Sequence, residues 1–88
     1  MIAIDELLSR IESCEGEEFI LIKGGTFSYK VTEGHVKLDR TNQRIPRSHF
    51  GKALEMVPLE DTALLQKLHG PSFIYSILMD SRIRKKDW

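Results

Sequence analysis

The chain has 88 residues, and its 13 Lys/Arg and 13 Asp/Glu give a formal net charge of zero. This length allows one domain, residues 1–88, and 41% hydrophobic with 30% charged residues is the composition of a folded rather than a disordered chain. A net charge of zero removes the simplest argument for a polyanionic partner. One cysteine, Cys14, excludes an intrachain disulfide and a zinc site built from several cysteines.

The N-terminus has no basic region, and Asp5 and Glu6 interrupt it early, so we predict no signal peptide. The longest apolar run, Phe19–Ile22, is far shorter than the roughly 20 residues that a membrane span needs. We therefore expect a cytoplasmic protein with no membrane partner, a location that a single thiol also fits.

The first predicted element is an amphipathic helix over residues 4–14. Its apolar residues follow the i, i+3, i+4, i+7 spacing: Ile4, Leu7, Leu8, Ile11 and Cys14. The next predicted elements are three short strands, at 19–22, 27–32 and 35–39, separated by Gly24-Gly25 and by Glu33-Gly34. The two later strands alternate apolar with polar residues, which is typical of a sheet with one solvated face. The strands are predicted to form an antiparallel meander.

After a polar loop at 40–46, the pattern predicts two or three helices. Ser48 is a candidate N-cap for the first, which ends before Pro58. A shorter helix covers Leu64 to Leu68, and Pro71 opens a helix that is apolar almost all round. A basic tail follows at 82–86. The expected fold class is α+β: an N-terminal helix, a three-stranded antiparallel meander and C-terminal helices packed on the sheet.

We predict no enzymatic activity, no cofactor and no metal site. His35, His49 and His69 are 14 and 20 residues apart, and no pair has the i, i+4 spacing that puts two ligands on one helix face. Cys14 lies on the apolar stripe of its helix, which favours a core position over a nucleophile. The chain has neither a Gly-x-Ser-x-Gly elbow nor a phosphate-binding glycine loop.

The charge is unevenly distributed, because residues 1–18 sum to −5 and residues 35–52 to +4. We therefore hypothesise that segment 35–52 contacts a DNA or RNA backbone. The candidate contacts are Lys37, Arg40, Arg44, Arg47, Ser48 and Lys52. Lys30, on the neighbouring predicted strand, could stand close to Lys37. The hypothesis needs Arg40, Arg44 and Arg47 to converge. Alternatively, the segment is a solvated loop whose arginines pair with the acidic N-terminal residues Glu12, Glu15, Glu17 and Glu18.

The other hypothesis is a regulatory or adaptor module that binds a protein partner or a second copy of the chain. Its candidate interface residues are aromatic or Met side chains of the C-terminal region: Phe73, Tyr75, Met79 and Trp88. An exposed edge strand, at 19–22 or at 35–39, would offer a second route to pairing. The competing interpretation is that the sheet and the first helix bury all four side chains.

Overall fold

In the computed structural model, which describes every residue except Met1, Lys23 and Asn42, the chain forms the predicted α+β fold. The elements in chain order are α1 (Ile4–Ser13), β1 (Phe19–Ile20), β2 (Thr26–Phe27), β3 (Tyr29–Thr32), β4 (His35–Leu38), β5 (Arg44–Pro46), α2 (Arg47–Leu54), α3 (Pro71–Leu78) and α4 (Ser81–Arg84). A single 3-10 turn, Ala63–Leu65, stands where a short helix was predicted.

Helix α1 confirms the spacing argument. Leu7 and Ile11 are fully buried, Cys14 is buried at the end of the same stripe, and Asp5 and Glu6 occupy the first turn. Negative charge is favourable there because the helix dipole is positive at its N-terminus. Helix α1 packs against α2, α4 and β3 and so covers one side of the sheet.

The strands form two antiparallel sheets instead of one. Strands β1 and β2 pair as a hairpin, and β3, β4 and β5 form the three-stranded meander. The predicted strand at 27–32 divides at Ser28, whose amide donates to the Asp39 carboxylate. Strand β5, the third strand of the meander, lies in the segment 40–46 that was predicted to be a loop. Asn42 of that segment lies outside the described residues.

Two consequences correct the sequence interpretation. Segment 35–39 is not an edge, because β4 is the central strand of its sheet. Strand β5 forms because Ile45 is fully buried opposite Val36. The sequence did not predict this strand, because three residues are too few to show a period of two.

Helix α2 begins two residues earlier than an N-cap at Ser48 requires. Pro46 occupies the cap position in extended conformation, and the Arg47 amide donates to the Gly34 carbonyl at 3.0 Å. The first helical N–H group is thus satisfied by the β3–β4 turn, and Ser48 makes no cap hydrogen bond. The N-cap prediction for Ser48 is wrong for that reason.

The C-terminal region confirms a buried helix and adds a shorter one. Ile74, Ile77 and Leu78 of α3 are fully buried. Part of the predicted basic tail forms α4, which Asp80 caps by accepting the Arg82 amide and which Ile83 anchors in the core. The outer face of the three-stranded sheet contributes none of the core side chains.

Candidate nucleic-acid interface

Three basic residues lie side by side across the outer face of the three-stranded sheet. Lys30 of β3 stands directly opposite Lys37 of β4, and Lys37 stands directly opposite Arg44 of β5. All three side chains are exposed. Because neighbouring strands are about 4.8 Å apart, this cationic row (Lys30, Lys37 and Arg44) places three positive charges in a line roughly 10 Å long at the backbone.

The inner face fixes the row in place. On β4, Val36 and Leu38 point into the core and alternate with the exposed His35 and Lys37. A slip of one residue would bury Lys37, so the register is strongly specified. Tyr29 adds a further anchor, since its buried hydroxyl donates to the Ile11 carbonyl of α1, and burial raises the pKa of Tyr29 well above its ordinary value.

The members of the row form no ion pair with another described residue. Among the residues that the structure describes, no carboxylate lies within 4.0 Å of Lys30, Lys37 or Arg44. Like charges directly opposite each other on neighbouring strands destabilise a sheet. The row therefore costs the fold stability, and binding of an anionic chain would offset that cost.

A concavity of about 380 Å³ adjoins two members of the row. Its polar lining consists of Ser28, Lys30, Lys37, Asp39 and Thr41. The Asp39 carboxylate is held on both oxygens: Oδ1 accepts the Ser28 amide at 2.9 Å, and Oδ2 accepts the Ser28 hydroxyl at 3.1 Å. The concavity thus combines two ammonium groups with one oriented carboxylate.

The other predicted contacts do not join the row. Arg40 lies over the β1–β2 hairpin, where its guanidinium donates to the Thr26 carbonyl at 3.4 Å. Arg47 points towards α1 and pairs with Asp5 at 2.7 Å. The three arginines, whose convergence the sequence hypothesis needed, therefore go to three different places, and of them only Arg44 lies in the row.

Ser48 and Lys52 are exposed on α2, where Lys52 lies close enough to His49 to help lower its pKa. Neither residue is a neighbour of the row in the strand register. The predicted interface at 35–52 is thus reduced to Lys37 and Arg44, which gain Lys30 from the preceding strand.

The residues predicted for a protein interface are all half-buried. Phe73 packs edge-on against Phe27 with ring centroids 5.0 Å apart, and the Trp88 indole donates to the Leu78 carbonyl at 2.8 Å. Tyr75 and Met79 line a concavity of about 450 Å³ beside β1. Its rim carries two residues that sequence reasoning missed, Ile20 and Ile22, which are 73% and 50% exposed.

His49 and His69 meet although 20 residues separate them. Their rings lie 4.9 Å apart, and the His69 amide donates to His49 Nδ1 at 3.1 Å. Desolvation, together with the nearby His69 and Lys52, lowers the pKa of His49. In the described parts of the chain, no group of three or more His, Cys, Asp or Glu residues is placed to hold a metal ion.

Comparison with protein-family models, with curated proteins and with solved structures returned no match. Within residues 2–22, 24–41 and 43–88, no helix has the length and apolar character of a membrane span.

Proposed function

We propose that the protein is a non-enzymatic binding module that contacts the phosphate backbone of a nucleic acid. The observation that carries the proposal is the cationic row, in which Lys30, Lys37 and Arg44 face each other without a carboxylate partner among the described residues. A polyanion supplies several phosphates at once, so it offsets the repulsion along the whole row, which a single small anion does not.

The composition of this face favours backbone contacts over base recognition. Its other exposed strand residues include Thr32 and His35, but it carries no Phe, Tyr or Trp on which a base could stack. Affinity should therefore be modest, with Kd on the order of 10⁻⁴ to 10⁻⁶ M at physiological salt, and weakly dependent on sequence. Arg44 provides a planar fork for one phosphate, and the two lysines act as point charges.

The test compares two double variants that remove equal charge. Lys30→Ala/Lys37→Ala should lower the affinity for a labelled oligonucleotide at least tenfold at about 50 mM salt. Lys85→Ala/Lys86→Ala removes two exposed lysines beyond α4. This variant should change the affinity less than about twofold, because these two lysines are not part of the row and salt screens the effect of exposed charges. Equal losses in both variants, or no binding by the wild type, would contradict the proposal.

A second candidate function is a protein-binding surface beside β1. Ile20 and Ile22 are large apolar side chains in solvent, and they adjoin the half-buried Tyr75 and Met79. Contiguous apolar surface of this kind is typical of interfaces. If this surface binds a second copy, sedimentation should show a dimer that Ile20→Asp abolishes and that salt does not weaken. A monomer at about 100 μM would exclude self-association, since stable interfaces hold well below that concentration.

We place this activity in the cytoplasm. A nucleic-acid ligand fits that location, as does the single cysteine, Cys14, which is buried and free.

A further inference from the structure

We propose that the concavity beside the cationic row binds one ribonucleotide of a single-stranded RNA, with the Asp39 carboxylate accepting a hydrogen bond from the ribose 2′-hydroxyl. The inference deepens the proposed function, on which it rests, by naming the class of nucleic acid. The concavity lies at the Ser28–Asp39 end of β3 and β4, where Lys30 and Lys37 form part of its lining.

The carboxylate is the feature that a backbone-binding site does not explain. Asp39 accepts the Ser28 amide, but an asparagine would keep an acceptor for that amide. Because a phosphate chain is repelled by an acidic group, a face that served phosphates alone would gain by placing such a neutral residue at position 39. An ionised carboxylate only accepts hydrogen bonds. A ligand group that meets Asp39 must therefore be a donor, and a nucleic acid strand has donors only on its sugar hydroxyls and its bases.

The geometry leaves acceptor capacity for such a donor. Each carboxylate oxygen has about two lone-pair directions. Ser28 occupies one on each oxygen, through its amide and its hydroxyl. These two bonds fix the carboxylate plane without saturating it, and Asp39 is exposed at the concavity. The remaining lone pairs are pre-oriented, which lowers the entropic cost of binding.

The volume of the concavity and the order of its charged side chains also fit a nucleotide. A volume of about 380 Å³ is large enough for a single nucleotide that has left its stack. Lys37 and Asp39 are two residues apart, which in an extended strand places both side chains on the same face. If a phosphate binds to Lys30 and Lys37, Asp39 is the next side chain along the protein chain on that side. The group next to a phosphate in a nucleic acid is a sugar, so a sugar would lie at Asp39. The 2′-hydroxyl distinguishes RNA from DNA at such a site.

The experiment measures the affinity ratio between oligouridylate and oligodeoxyuridylate of about 12 nucleotides, which differ only in the 2′-hydroxyl. The wild type should bind the RNA roughly tenfold more tightly, as a hydrogen bond to a charged group predicts. Asp39→Ala should reduce the ratio to near one and leave DNA binding equal or stronger, because a negative charge is lost. Asp39→Asn keeps an acceptor for the Ser28 amide and should give an intermediate ratio.

The other outcomes distinguish a failure of this inference from a failure of the proposed function. A wild-type ratio near one, or a tenfold ratio that survives both Asp39 variants, overturns the inference and leaves the proposed function standing. Oligodeoxyadenylate that binds as tightly as oligoadenylate, with both binding more tightly than oligouridylate, would show that base contacts rather than the 2′-hydroxyl set the affinity, and would overturn the ribose assignment. No binding of any oligomer overturns the proposed function as well.

Discussion

The cationic row and the C-terminal end of the fold use basic residues in opposite ways. Arg10 of α1, whose side chain is only 10% exposed, donates to the Ile83 carbonyl at 2.9 Å and pairs with Asp87 at 2.5 Å. Arg82 pairs with Asp80 at 2.9 Å and stacks over Phe19 with 4.2 Å to the ring centroid. We call Arg10 and Arg82 the arginine clamp, since they hold α4 against α1 and β1.

The contrast shows why net charge and segment charge are poor guides to function. Arg10 lies in the acidic segment 1–18 and Arg82 in the basic segment 82–86, but both use their guanidinium groups to satisfy carbonyls and carboxylates of the same chain. In the row, no carboxylate among the described residues fills that role. Cations that are satisfied internally should matter for stability, and the row should matter for binding.

The largest stability effect should come from the clamp. Arg10→Ala leaves the Ile83 carbonyl and Asp87 without their partner in a partly buried site, and we expect a loss of about 2–3 kcal/mol. Urea denaturation followed by circular dichroism measures it. The matched variant Arg44→Ala, in the row, should change the free energy of unfolding by less than about 0.5 kcal/mol. Equal losses would break the distinction between the two regions.

A smaller loss should follow from Arg82→Ala, which removes the stacking on Phe19 and the hydrogen bond to the Glu18 carbonyl. We expect about 1–2 kcal/mol. Hydrogen bonds from Arg82 hold the pKa of Asp80 below its ordinary value, so Asp80 should titrate at higher pH in the variant. Arg82→Lys keeps the charge but not the planar fork, and a fully stable Arg82→Lys protein would show that charge alone holds α4.

In the row, Lys37→Glu should stabilise the protein while it destroys binding. The substitution turns two like-charge pairs, with Lys30 and with Arg44, into two opposite-charge pairs, worth about 0.5–1 kcal/mol. Thermal unfolding and an oligonucleotide titration measure the two effects together. Lys67→Glu, at an exposed position outside the sheet, controls for the change in net charge. A destabilised Lys37→Glu protein would mean that the row is already neutralised within the fold.

The smallest expected effect is a pH dependence of the stability that arises from His49, which lies in neither the row nor the clamp. His49 Nδ1 accepts the His69 amide, so this ring must be neutral at Nδ1, and its pKa is lowered in the folded protein. The unfolded chain then takes up the proton first, and stability present above about pH 6.5 declines as the pH falls through the folded-state pKa. We expect less than about 1 kcal/mol, since His49 is only partly buried.

His49→Asn tests this assignment, because an asparagine oxygen can replace Nδ1 as acceptor and does not titrate. The variant should show a flatter stability profile between about pH 5 and 7 than the wild type, measured by urea denaturation. An unchanged profile would assign the titration to another group.

The sequence pattern predicted the elements that have a long period and missed the short ones. Helix α1 was predictable because its turns repeat the same spacing, and helix α3 because Pro71 opens a run that is apolar almost all round. Strand β5 was not, since Arg44–Pro46 has too few residues for a period. The break at Ser28 was also missed, because it depends on Asp39, which is 11 residues away.

The candidate site was predictable only in part. Alternation along the strands placed Lys30 and Lys37 on one face, and the register then made them direct neighbours. The directions of Arg40 and Arg47 depend on Thr26 and Asp5, which no local pattern relates to them. For the same reason the contact of His49 with His69 left no signal in their spacing.

The salt dependence of oligonucleotide binding shows whether the cationic row contacts phosphates. For a single strand, each neutralised phosphate contributes about −0.7 to the slope of log K against log salt, so three row cations predict a slope near −2. Lys37→Ala should make the slope less negative by about 0.7, while Lys85→Ala should leave it unchanged. A slope that Lys37→Ala does not alter, or that Lys85→Ala alters equally, would contradict the account.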